Sequence, residues 1–106
     1  SEALGLNLDT GNLWLGGGDP VEYVKKFRNR IEHVHWKDLP AEMEALRGKM
    51  FGCGMAVIPL GTGVVPVEEV FNELVKMGFD GYSTFEIAGE EAVKKSLEFL
   101  KELAGK

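Results

Sequence analysis

The chain has 106 residues, 44% of them hydrophobic and 27% charged, with a formal net charge of -5. That length allows one domain with a modest core and excludes two, and the composition is that of a folded chain rather than a disordered or fibrous one. The negative balance removes any general electrostatic reason to approach nucleic acid or an anionic membrane, so neither is expected as a partner.

A single cysteine, Cys53, excludes an intramolecular disulfide. With no leader pattern or long apolar run ahead of the first strand, the expected location is cytoplasmic. From Ala3 to Asp9, Leu4, Leu6 and Leu8 share one face and Gly5, Asn7 and Asp9 the other, which is the two-residue period of a strand. This alternation begins almost at the first residue, as expected of a chain cut from a longer one. Thr10-Gly11-Asn12 and Gly16-Gly17-Gly18 are expected to be loop. Asp19-Pro20 then starts a helix, with aspartate as the cap and proline at the first helical position, and Val21, Val24, Phe27 and Ile31 form its stripe.

The second strand covers 32–38, with His33, His35 and Lys37 on one face and Val34 and Trp36 on the other. Strand, loop, helix and strand in about thirty residues is the size of a right-handed βαβ crossover, which predicts parallel strands. Pro40 to Leu46 reads as a short helix, and Arg47 to Met55 as the longest irregular connection, a kind of segment that is often functional. In Leu60-Gly61-Thr62-Gly63 the two glycines are expected to leave backbone amides accessible. A helix follows with Pro66 near its start, Val67, Val70, Phe71, Leu74 and Val75 on one face, and Gly78 at its C-terminal cap. A third strand over 81–87 alternates Tyr82, Thr84 and Glu86 against Ser83, Phe85 and Ile87. A last helix over 90–103 carries Val93, Leu97, Leu100 and Leu103. Residues 1–106 thus read as a single α/β unit of the form (βα)3, without a sequence repeat or a dividing linker.

Each strand places a candidate metal ligand near its C-terminal end: Asp9, His35 and Glu86. In parallel β/α architectures that is the end where sites form. Two carboxylates and an imidazole suit Mn²⁺, Co²⁺, Zn²⁺ or Mg²⁺ better than a thiolate-rich structural zinc site. Each residue also has an ordinary reading: Asp9 as a turn residue before Thr10-Gly11, His33 and His35 as solvent-facing strand residues, Glu86 as a surface carboxylate.

Leu8-Asp9-Thr10-Gly11-Asn12, Gly17-Gly18-Asp19-Pro20, Arg30-Ile31-Glu32-His33-Val34-His35-Trp36-Lys37-Asp38, Leu60-Gly61-Thr62-Gly63, Gly78-Phe79-Asp80-Gly81 and Phe85-Glu86 come in this order along the chain. Together they resemble the C-terminal part of xylose isomerase-like TIM barrels, a superfamily of sugar and sugar-phosphate isomerases and epimerases that includes the D-tagatose 3-epimerase group and inosose dehydratases. The resemblance implies a partial barrel whose strands match the sixth to eighth of eight. It also implies that Asp9, His35 and Glu86 match three of four ligands to a divalent metal. The fourth, a glutamate on the fifth strand, has no counterpart in this sequence. By the same resemblance Glu86 is one of two catalytic bases, and Asn12, His33 and Lys37 face a sugar or keto-sugar substrate, while Asp38 orients a ligand or closes a loop. Asn12 stands where many relatives carry a histidine; an amide hydrogen-bonds a hydroxyl but carries no proton at neutral pH.

The implied activity is a metal-dependent isomerisation or epimerisation through an enediolate, with an inosose dehydratase-like elimination as the alternative, since both begin with proton abstraction beside a carbonyl. For these residues alone the expectation is a remnant without turnover, self-associating as a homo-oligomer through open strand edges. A three-metal nuclease of the endonuclease IV type would need more histidines and carboxylates than the chain supplies.

Overall fold

The computed structural model describes residues 6–28, 30–49 and 58–105. Among them three parallel strands, β1 (Leu6–Asp9), β2 (Ile31–Trp36) and β3 (Tyr82–Phe85), form one sheet in the order β1-β2-β3. Helices α1 (Thr10–Leu15), α2 (Pro20–Phe27), α3 (Val67–Lys76) and α4 (Glu90–Ala104), with a 3-10 helix over Ala41–Leu46, join and follow the strands. The parallel arrangement expected from the periodicities is the one that forms.

The two faces of the sheet divide the work. Leu8 and Val34 are in register, and together with Trp36 they are buried in one cluster with Val24 of α2 and Val67, Val70 and Leu74 of α3. Trp36 meets Phe71 edge-on, ring centroids 6.4 Å apart. Full burial of a valine or leucine stabilises by about 1.5–3 kcal/mol, so this side holds the unit together. On the other face Asn7, His33 and Tyr82 lie in register, and one step further along come Asp9, His35 and Thr84. At α2 the expected cap is present: Asp19 Oδ1 accepts from the amides of Val21 and Glu22, and Pro20 opens the helix.

Several elements differ from expectation. Thr10-Gly11-Asn12, expected as loop, open a helix over Thr10–Leu15 because Asp9 caps it and because Trp14 and Leu15 are buried. Ile31 opens β2 opposite Leu6 instead of closing the α2 stripe, and the register shift between Leu6 and Asn7 passes over the exposed Glu32. β2 ends at Trp36, so Lys37 and Asp38 lie just beyond it. The short helix after Pro40 is 3-10 and contributes no buried residue. β3 stops at Phe85, with Ile87 forming an isolated bridge. The beginning of the first strand, Cys53 and most of the irregular stretch expected over 47–55 lie outside the described residues.

Candidate functional site

The C-terminal ends of the strands gather the polar side chains. Asp9 and His35 are register partners across β1 and β2. The ladder between β2 and β3 continues one step further, the amide of Glu86 donating to the carbonyl of Trp36 at 2.9 Å, which brings Glu86 beside His35. His35 Nδ1 and Glu86 Oε1 are 2.6 Å apart, and both side chains are roughly a quarter exposed, partly dry and open to a small molecule. His33 stacks on His35 with ring centroids 4.4 Å apart, while its Nε2 meets Thr84 Oγ1 at 2.7 Å. A stacked imidazole held at its far nitrogen restrains the rotation of His35.

A second group forms around Asp9. Its Oδ1 accepts the amide of Asn12 at 2.9 Å and its Oδ2 accepts Asn12 Nδ2 at 3.0 Å. The ammonium of Lys37 lies 3.6 Å from Asp9 Oδ2 and donates to Asn12 Oδ1 at 3.2 Å. Lys37 is buried although it sits at the mouth of the sheet. Thr10 fixes its backbone from both sides, donating to the Lys37 carbonyl at 2.7 Å and accepting the Lys37 amide at 2.9 Å. Asp9, Asn12 and Lys37 are thus one cluster, His33, His35 and Glu86 another, and the two adjoin where Asp9 pairs with His35.

Asp38 turns away from both clusters and is fully buried. Its Oδ1 accepts the amides of Leu39 at 2.8 Å and Val65 at 3.0 Å, and its Oδ2 those of Gly61 at 2.9 Å and Gly63 at 3.0 Å. The glycine amides expected to be accessible are therefore occupied, and of the two roles open to Asp38 it performs loop closure. The role of Thr10 in holding the Lys37 backbone was not foreseen from the sequence. The spacing of Gly61 and Gly63 by two residues was the available signal for Asp38, but nothing nearby in sequence names the acceptor.

Donor chemistry and donor arrangement point in different directions for a metal. Two carboxylates and an imidazole suit a divalent cation. Among the described residues, however, no group of three or more His, Cys, Asp or Glu is placed to hold one. His35 and Glu86 stand together, while the carboxylate of Asp9 is engaged by Asn12 and Lys37.

The model of the xylose isomerase-like TIM barrel matches residues 1–103. The chain belongs to the xylose isomerase-like TIM barrel family. Among curated relatives, an inosose dehydratase of Clostridium botulinum is 31% identical over 103 residues, covering 89% of this chain and 34% of its own length. That of Clostridium perfringens is 33% identical over 101 residues, with the same shares of 89% and 34%. Inosose dehydratase 2 of Bacillus cereus is 31% identical over 118 residues, or 98% of this chain and 39% of the relative. The crystal structure of a D-tagatose 3-epimerase-like protein superposes with a TM-score of 0.69 at 28% identity, over 99% of this chain and 36% of that one. The chain spans little more than a third of these relatives, and the open sheet of three strands among its described residues is accordingly part of the family's eight-stranded barrel.

Proposed function

We propose that these residues form the C-terminal part of a barrel that abstracts a proton beside the carbonyl of a keto-sugar or inosose. The observation that carries this is the 2.6 Å contact between His35 Nδ1 and Glu86 Oε1 at the ends of adjacent strands. It fixes one oxygen of a partly exposed carboxylate and presents the other to a substrate. Glu86 takes the C–H proton, and the electron pair of that bond moves onto the carbonyl oxygen to give an enediolate. In a dehydratase that intermediate expels the neighbouring hydroxyl, which leaves as water on taking the proton Glu86 now carries, and the inosose dehydratases among the relatives favour this outcome. In an epimerase Glu86 keeps that proton and a second acid, supplied by the rest of the barrel, protonates the opposite face, the outcome suggested by the D-tagatose 3-epimerase-like neighbour. Asn12 and His33 hydrogen-bond substrate hydroxyls.

Asp9, His35 and Glu86 are the side chains that would hold a divalent cation such as Mn²⁺, Co²⁺, Zn²⁺ or Mg²⁺, which when bound polarises the substrate oxygens. Turnover is a property of the complete barrel, so the test has two parts. Calorimetric titration of the 106-residue chain with Mn²⁺ or Co²⁺ is expected to give binding that His35→Ala abolishes; equal heats in both proteins would remove the site. In a chimaeric barrel with the N-terminal strands of an inosose dehydratase, exchange of the substrate C–H with D₂O is expected to fall by about a hundredfold or more in Glu86→Gln. Exchange that survives the substitution assigns the base elsewhere.

A further inference from the structure

We propose that Lys37 is a positioning residue that acts through Asp9: it is the resident counter-cation of that carboxylate, and an incoming divalent ion must compete with it for Asp9 Oδ2. This rests on the reading of Asp9 as a ligand. A lysine that served substrate directly would carry its head in the open mouth of the site with its stem along the wall. Lys37 is instead only 2% exposed beside neighbours that are 26% and 29% exposed. The chain has built a sheath for it. A Cβ at Gly11 would come within 2.7 Å of Lys37 Cδ and 2.8 Å of Cγ, so glycine lets the first turn of α1 lie against the lysine stem. Thr10 clamps the Lys37 backbone by both its amide and its carbonyl.

The ammonium then closes a triangle. It lies 3.6 Å from Asp9 Oδ2 and donates to Asn12 Oδ1, while the amide nitrogen of the same Asn12 side chain donates to Asp9 Oδ2. Asp9 is charge-compensated from within the chain. That accounts for His35 and Glu86 contacting each other while the Asp9 carboxylate beside them is held by Asn12 and Lys37. Lys37 is buried but Asp9 is 27% exposed, so a cation can reach the carboxylate from solvent, and deleting the ammonium removes a positive charge that lies 3.6 Å from Oδ2.

The test is Co²⁺ titration by calorimetry of the parent chain, Lys37→Met, Lys37→Arg and His35→Ala, with circular dichroism to establish that each is folded. Lys37→Met is expected to bind Co²⁺ about tenfold more tightly than the parent, because a positive charge close to the ligand oxygen has gone. Lys37→Arg, which keeps the charge, is expected to stay near the parent; a purely structural lysine would not separate the two variants in this way. Unchanged or weaker binding in Lys37→Met overturns the proposal, and if His35→Ala still abolishes binding in that case, the ligand reading survives without it. A second arm needs no metal and no Lys37 variant. In the ¹⁵N-labelled chain, Asp9→Asn is expected to shift the Lys37 Nζ resonance, and a resonance that stays in place overturns the pairing.

Discussion

Asp38 distributes four backbone amides evenly over its two carboxylate oxygens, two to each. Replacing it with asparagine keeps the shape but turns one oxygen into an NH₂ that faces two donors. Each buried amide left without an acceptor costs about 1–3 kcal/mol. Asp38→Asn is therefore expected to lower stability by about 3 kcal/mol, measurable as a shift of the urea midpoint at unchanged slope; a loss below about half a kilocalorie would show that the loop finds other acceptors. His35 differs from Asp38 in how far its neighbours in sequence reveal it. The alternation of His33, Val34, His35 and Trp36 announces a polar and an apolar face before any fold is known. Asp38 carries no such local sign, since three of its donors come from 23 to 27 residues away.

Among the elements, α1 and the turn around Gly63 are the two whose form depends most on what surrounds them. A six-residue helix is too short to be stable by itself, and α1 owes its shape to the Asp9 cap, to the burial of Trp14 and Leu15, and to Arg47. The guanidinium of Arg47 bonds the carbonyls of Trp14 and Gly18 at 2.8 Å each and lies over the Trp14 ring, 4.8 Å from its centroid. It thereby satisfies acceptors at the helix end. At Gly63 a Cβ would stand 2.0 Å from the Leu39 carbonyl oxygen and 2.5 Å from Asp38 Oδ1. Gly63→Ala is expected to cost about 1–3 kcal/mol as the backbone moves apart. It should also speed hydrogen exchange at the Val64 and Val65 amides, which donate to Leu39 and Asp38; protection equal to the parent's would place the constraint elsewhere.

At the scale of the molecule, β1 and β3 are the edges of the described sheet, and the face carrying Asn7, His33 and Tyr82 has Tyr82 80% exposed. In a closed barrel such edges pair with neighbouring strands and the inner face is covered. We propose that the 106-residue chain by itself self-associates through them. Sedimentation velocity at micromolar concentration is expected to give a species larger than the monomer, and a stable monomer would argue that the sheet is protected in some other way. Among the described residues no helix is long and apolar enough to cross a membrane.

The three strands, their parallel direction, the polar face of β2 and the family were all legible in the order of residues, because periodicity and motif spacing are properties of the chain itself. Asp9, His35 and Glu86 were likewise legible as candidates, each standing at a strand end. How those candidates share their contacts was not, because it is settled across the fold. The His35–Glu86 contact spans 51 residues and the Lys37–Asn12 bond 25. Only the packing of α1 against the end of β2 decides that Asp9 faces an ammonium and that Lys37 is buried, since burial and charge pairing depend on which segments are brought together.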